Sequence, residues 1–322
     1  MAFRSPKEAK LGAKVLVYGT TGSGKSRFML GFPSIAAIDS EAGLSFYEGN
    51  ESAKNLLLVS NTQSFKELED DLDTIREDYE KLGVKTFAVD SVTKIRENLE
   101  ETIMTFDERR ERAKGKDIDE TNLSIRSRGR IKYVSKKLQN LKIDLSSRGV
   151  NIVDVAQSKE VKEKKGDQFI LVGYEPDMQK GSTYDYDIIL FFYTKEDAEG
   201  NTHYYAKVEK DRTEVTKKGQ IIENPSYDIW QTKLEDLSNK EALNTKFSDD
   251  IQTSKVAYED EVEEENKSLV DRIKELMPNL TTEQKTEFKK RLKEEGFTDL
   301  KNLDKLPLPK KESLLEIINS YQ

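Results

Sequence analysis

The sequence predicts an α/β protein: a mostly parallel sheet with an antiparallel edge, followed by a small helical module. Three observations point there. Short apolar, β-branched runs alternate with helix-patterned segments as far as Val155, the order that builds a parallel sheet. Two more strand-like runs then follow one another across a Gly-bearing turn, which adds an antiparallel edge. Near Lys233 the pattern breaks, and charged, weakly apolar sequence leads through an acidic stretch to three short helical segments. The expected division is a polar leader at 1–12, an α/β core at 13–234, an acidic linker at 235–266 and a small helical domain at 267–322.

Taken in order, Lys14-Val15-Leu16-Val17-Tyr18 reads as a buried strand, and Ser26-Arg27-Phe28-Met29-Leu30 starts a helix that stops near Gly31 and Pro33. Ile35 to Asp39 and Asn55 to Val59 are strand-like. Ser64 to Lys81 is helical by apolar spacing, with Ser64-x-x-Glu67 as a capping box. Thr86 to Ser91 is an apolar strand closed by an acid, and helical sequence runs from about Lys94 to Arg112. A basic helix is expected near Arg130 to Leu145, then a strand over Asn151 to Gln157. Asp185 to Tyr193 and Tyr204 to Glu209 are the last two strands of the core. In the module, Ser268 to Leu276, Thr282 to Glu295 and Lys311 to Tyr321 read as helices, with Thr281-x-x-Gln284 a capping box, Gly296 a stop and Pro307 and Pro309 a break.

Composition removes several classes of function. With 35% hydrophobic and 35% charged residues, the chain is polar but able to build a core. No run approaches the ~18 apolar residues of a membrane helix, and Met1 to Lys14 lacks the apolar centre of a signal peptide. The absence of cysteine excludes disulfides and thiolate chemistry and suits a reducing cytoplasm. His203 is the single histidine, so multi-histidine metal sites are excluded. The net charge of −8 hides an asymmetry. Arg126, Arg128, Arg130, Lys132, Lys136, Lys137, Lys142 and Arg148 stand against Asp144 alone, whereas Asp249, Asp250 and the acids from Glu259 to Glu265 stand against Lys255 alone. The acidic total is therefore no argument against an anionic partner for the core.

The sharpest chemistry lies in Gly19-Thr20-Thr21-Gly22-Ser23-Gly24-Lys25-Ser26, the complete phosphate-binding pattern G-x-x-x-x-G-K-[ST] between a strand and a helix. Glycine lets bare backbone N–H groups approach a polyphosphate, Lys25 reaches the terminal phosphates, and the Ser26 hydroxyl suits Mg²⁺. ATP and Mg²⁺ are the expected ligands. Hydrolysis also needs an acid at the metal and a group that positions water. Asp90, ending the Phe87-Ala88-Val89 run, either orients the metal or caps the next helix. Glu41, beyond Asp39, either polarises a water at the γ-phosphate or is a solvated loop acid. Gln157 either senses the γ-phosphate from a strand end or is a surface glutamine. The basic stretch, represented by Arg126, Arg128, Arg130 and Lys132, offers a charged track for single-stranded DNA or else a solvated helix face, with Tyr133 its only aromatic. Thr194-Lys195-Glu196-Asp197 fits the guanine-reading pattern [NT]-K-x-D, but no D-x-x-G follows Asp90, so it reads as a polar hairpin turn.

In this order the motifs resemble the ATPase core of the RecA recombinases, and more narrowly the phage-encoded RecA-core ATPases grouped with single-strand annealing proteins. Ile38-Asp39-Ser40-Glu41 with Gly43-Leu44 is similar to the RecA I-D-A-E-x-A-L segment, which implies that Glu41 is the catalytic glutamate. Asn55-Leu56-Leu57 resembles the family's N-L-L strand, and Val89-Asp90-Ser91-Val92 its V-D-S-V Walker B sequence. Gln157 falls on the glutamine that couples the γ-phosphate to the second DNA-binding loop, here Ser158 to Ser182. Lys210-Asp211-Arg212 looks like the K-N-K segment whose two cations reach a neighbouring subunit's ATP, with Arg212 in place of a lysine. About Ala113 to Arg128 falls on the first DNA loop, more basic than in RecA. The resemblance covers roughly Ala13 to Leu234 and implies a DNA-stimulated ATPase in recombination or strand annealing, with ATP sites between the subunits of a homo-oligomer. The family's N-terminal joining element has no counterpart in Met1 to Gly12, which leaves ring or filament open. The helical module is expected to dock a protein partner, or to be an appended fold. Two other functions remain open: a helicase loader-like ATPase acting on a protein, and a nucleotide-gated scaffold with little turnover.

Overall fold

A computed structural model of the protein describes residues 9–113, 124–166, 168–238, 240–243, 245–251, 253–254, 269–297, 303 and 306–321. Most of the polar leader, the centre of the first DNA-loop counterpart, the acids Glu259 to Glu265 and Ser268 lie outside them. The chain divides into two compact units, Met1–Ser248 and Asp249–Gln322.

The first unit is built on a nine-stranded sheet. Its strands are β2 (Lys14–Gly19), β3 (Ile35–Asp39), β4 (Leu56–Ser60), β5 (Thr86–Asp90), β6 (Asn151–Lys165), β7 (Gln168–Pro176), β8 (Ile188–Glu196), β9 (Thr202–Asp211) and β10 (Ile221–Glu223). Spatial order is β10-β9-β8-β2-β6-β5-β3-β4, with β7 beside the outer part of β6. From β8 to β4 all neighbours run parallel, and β9 and β10 form the antiparallel edge. The expected fold class is what the chain adopts.

Alternation along the strands supplies a core on each face. On one face Val15 and Val17 pack with Phe28 of α1 (Lys25–Leu30) and with Trp230 and Leu234 of α5 (Asp228–Ser238). On the other, Ile38, Phe87, Val89 and Ile152 meet α2 (Phe65–Leu82), α3 (Val92–Ala113) and α4 (Ile125–Ser146) through Leu68, Leu72, Ile75, Ile95, Leu138 and Leu141. Helix α5 left no strong mark in the sequence, yet it buries the only tryptophan. The Trp230 indole donates to Asp211 over 3.0 Å and meets Phe28 edge-on.

Several boundaries differ from the sequence reading, each for a local reason. Helix α4 starts five residues before the expected Arg130, because the Ser124 side chain caps the amide of Ser127 and Gly129 is carried inside the helix. The segment read as a loop over Ser158 to Ser182 is largely a hairpin: β6 continues to Lys165 and pairs antiparallel with β7, opposing Lys162 to Leu171 and Lys164 to Phe169. Thr194-Lys195-Glu196 belongs to β8, and the turn is tied by Asp197, whose carboxylate accepts from the amides of Glu199 and Asn201.

Residues 240–243 and 245–248, read as linker, pack within the first unit. Strand β11 (Glu241–Ala242) pairs in parallel with β1 (Ala9–Lys10). Buried Asp144 accepts from the Thr245 hydroxyl, the amides of Phe247 and Ser248, and the Ser248 hydroxyl, over 2.6–2.9 Å. In the second unit, α6 (Leu269–Asn279), α7 (Thr282–Glu294) and α8 (Leu308–Asn319) close around Ile273, Leu276, Phe288, Leu292, Leu314 and Ile318. Thr281 and Gln284 form the reciprocal capping box, and Gly296 takes a left-handed φ of 84° beyond α7. Helix α8 begins ahead of Lys311, since Pro309 in its first turn needs no donor.

Candidate functional site

Residues Gly19 to Ser26 join β2 to α1 at the carboxyl ends of the parallel strands. Gly19 is demanded by the sheet: a Cβ there would lie 2.0 Å from the carbonyl oxygen of Phe192 on β8. Gly22 and Gly24 hold φ of 71° and 91°, a region that suits glycine. The buried Ser23 hydroxyl donates to the Thr20 carbonyl over 2.7 Å and braces the turn, while Thr21 is exposed. No side chain caps the start of α1. The Lys25 ammonium folds onto the loop, donating to the carbonyls of Thr20 at 2.7 Å and Gly19 at 3.1 Å. Burial lowers its pKa, against the opposing pull of Asp90 and Glu41.

Strand β5 ends beside this loop, and there the Ser26 hydroxyl donates to the Asp90 carboxylate over 2.6 Å. Asp90 is 8% exposed. Burial pushes its pKa up to about 6; the Ser26 hydrogen bond opposes this, and Glu41 and Asp39 add to it. Next along, Ser40 and Ser91 clasp β3 to β5. The Ser91 amide donates to the Ser40 hydroxyl at 2.8 Å, and that hydroxyl donates to the Ser91 carbonyl at 3.0 Å. Asp39 accepts from the amides of Glu41, Gly43 and Leu44 and so shapes the turn that presents Glu41.

Glu41 is held from two sides. Its Oε1 accepts from the Ser91 hydroxyl at 2.8 Å and from the Gln157 amide at 3.0 Å. Gln157 in turn is fixed by its backbone: its N–H donates to Thr93 Oγ1 at 3.0 Å, and Thr93 Oγ1 donates to the Asp177 carbonyl at the base of β7. Glu41 in the turn after β3, Asp90 at the end of β5 and Gln157 on β6, each singled out from the sequence, are thus gathered around one loop. Ser91 was visible in the V-D-S-V match, but nothing in its spacing announces a bond to Glu41. An open cavity of about 470 Å³ lies over the loop, lined by Gly22 to Arg27, Tyr47 and Tyr204. A larger one, about 620 Å³, opens at the opposite ends of the strands between Lys10, Lys85, Asn151 and Tyr227. Its polar lining includes Lys10, Glu80, Lys85, Glu235 and Ser238, with Asn151, whose side-chain oxygen already accepts from the Ala13 backbone amide.

Lys210 and Arg212 stand elsewhere. Gly19 pairs with Phe192 midway along β8, whereas Lys210 pairs with Ile189 near its start, because β9 runs antiparallel and returns to the amino ends of the parallel strands. Both cations bind the Tyr184 carbonyl, and Arg212 also pairs with Asp187 at 3.2 Å. Neither belongs to the phosphate loop of its own chain. Arg126, Arg128, Arg130 and Lys132 are exposed on α4. The basic stretch is less free than its composition implies: Lys142 is buried on Asp154, Lys137 pairs with Glu69, and Arg148 donates to the Arg76 carbonyl.

Compared with known protein families, residues 11–219 match the AAA domain. No curated protein matches the chain.

Proposed function

Since the chain belongs to the AAA-domain family of P-loop ATPases, we propose that it hydrolyses ATP with Mg²⁺ and couples that turnover to single-stranded DNA in recombination or strand annealing. The observation that carries the reading is the meeting of Ser26 with Asp90 and of Glu41 with Gln157 beside the glycine loop. A hydroxyl and a carboxylate oxygen within 2.6 Å make a hard-oxygen pair suited to Mg²⁺, with Lys25 a nearby cation of Asp90. When bound, the metal neutralises charge on the transferred phosphoryl group. Lys25 exchanges its two loop carbonyls for phosphate oxygens. Glu41, oriented by Ser91 and Gln157, positions the attacking water. Gln157 shares Glu41 Oε1 and lies on the strand that runs on into the β6–β7 hairpin, so a change at Glu41 is felt in that arm.

The DNA part of the reading is supported by the exposed Arg126, Arg128, Arg130 and Lys132 on α4. Lys210 and Arg212, remote from their own loop, suit a site completed by a neighbouring copy in a homo-oligomer; unchanged turnover in K210A and R212A variants would remove that element. The helical unit is assigned a protein partner.

The test is ATP hydrolysis with and without single-stranded DNA, using Lys25→Ala as the blank. Expected is turnover that DNA stimulates and the variant lacks, with Glu41→Gln binding ATP but not releasing phosphate. Turnover indifferent to DNA would move the reading to an ATPase acting on a protein. No turnover would leave a nucleotide-gated scaffold.

A further inference from the structure

Beside the phosphate loop the surface continues into a second hollow. The cavity over Gly22 to Arg27 and a neighbouring one of about 200 Å³ share Ser23, Gly24, Arg27 and Tyr204. Phe28 and Phe192 line the second, and its far wall is the segment from Asn224 to Tyr227. Tyr204 stands where the two join: a Cβ on Gly24 would lie 3.5 Å from its ring. Alternation along β9 separates it from Tyr205, which is stacked with Tyr193 and His203 on the other face. Among the described residues the Tyr204 ring has no aromatic partner, and it is 37% exposed. Asn224 is fixed beside it. Its amide donates to the Tyr204 carbonyl over 2.8 Å, and it holds a positive φ of 48°, which asparagine tolerates. Among the described residues its side-chain amide makes no hydrogen bond.

We propose that this trough is the nucleobase subsite: an adenine ring lies along Tyr204, and the Asn224 amide reads its edge. The trough begins at Arg27, the residue after Ser26, and so is placed to receive the sugar and base of a nucleoside triphosphate whose phosphates lie on Gly22 to Ser26. An aromatic face supplies stacking to any base. A carboxamide matches the N6–H donor and N7 acceptor on that edge of adenine bidentately, whereas guanine presents two acceptors, N7 and O6, on the same edge. The assignment rests on the nucleotide-binding reading of the loop, and triphosphate without a base separates the two.

The experiment is calorimetric titration of the full chain, in Mg²⁺, with ATP, GTP and inorganic triphosphate. Wild type is expected to bind ATP more tightly than triphosphate and more tightly than GTP. Tyr204→Ala should weaken ATP about tenfold and leave triphosphate unchanged, with Tyr204→Phe recovering most of the loss. Asn224→Ala should bring ATP and GTP together with triphosphate unaffected. Equal losses of ATP and triphosphate in Tyr204→Ala would make Tyr204 a prop for the loop and overturn the proposal, as would wild type binding ATP no better than triphosphate. Triphosphate bound alike by wild type and Lys25→Ala would sink the phosphate-loop reading and the subsite with it.

Discussion

Asp90 shows what one residue's surroundings do to its chemistry. Its carboxyl is raised from 3.8 to about 6, chiefly by burial, so the folded protein holds a proton there that the unfolded chain has lost. The folded state binds more protons between those values, so this group's contribution to stability falls as pH rises from about 4 through about 6. Asp90→Asn removes that loss. Without metal or nucleotide, the variant should be more stable than wild type at pH 7 by about 3 kcal/mol. The difference should close near pH 4, as read by urea unfolding across that range. Equal stability at pH 7 would mean that Asp90 is better solvated than its burial indicates. The same shift predicts that Mg²⁺ binding in wild type weakens below about pH 6, where Asp90 takes up a proton. Lys25, Ser26 and Asp90 were legible because each sits at a fixed place in a local motif. Ser91 was not, since its bond to Glu41 spans 50 residues of sequence.

Among the elements, α4 and the β6–β7 hairpin depart furthest from what a local pattern conveys. Helix α4 reads as one basic surface, yet Lys142 lies inside it, bonded to both oxygens of Asp154 at 2.7 Å with the Tyr186 hydroxyl on the same carboxylate. Removing one partner strands the other's charge in the core. Lys142→Met should therefore cost about 3–5 kcal/mol, while Lys136→Met, exposed on the same helix, should stay within about 0.5 kcal/mol; denaturant midpoints decide. The hairpin hid for a different reason. Its lysine and glutamate alternation resembles a solvated loop, and among the described residues from Lys162 to Val172 none is buried to give a strand its one-sided pattern. Phe169 and Leu171 are 69% and 44% exposed. Changing both to serine should leave thermal stability of the unit unaltered, and a clear drop in melting temperature would show that the arm packs on the unit.

For the whole molecule, the decisive feature is how far the first unit extends. Asp144 gathers the backbone and hydroxyls of Thr245 to Ser248 from about a hundred residues away, and β11 joins β1. A chain ending after Ser248 is expected to fold and bind ATP, whereas one ending after Leu234 should lose cooperative unfolding. Asp144→Ala should cost about 2–4 kcal/mol in either the full or the shortened chain; a cost below 0.5 kcal/mol would mean that the segment is merely laid on the surface.

By itself the sequence determined the phosphate loop, the parallel strands and their helices, the antiparallel edge and helices α6, α7 and α8 of the second unit. Each is written in a period or spacing a few residues long, which chain geometry converts directly into structure. Tertiary structure alone decided that Glu41, Ser91 and Gln157 share hydrogen bonds, that Lys142 and Asp144 are interior, that Lys210 and Arg212 stand at the far end of the sheet, and that Tyr204 borders the loop. Those facts depend on which strands become neighbours and in what register. Side chains distant in sequence are brought into contact by burial of the whole sheet, and no short stretch of sequence carries that information.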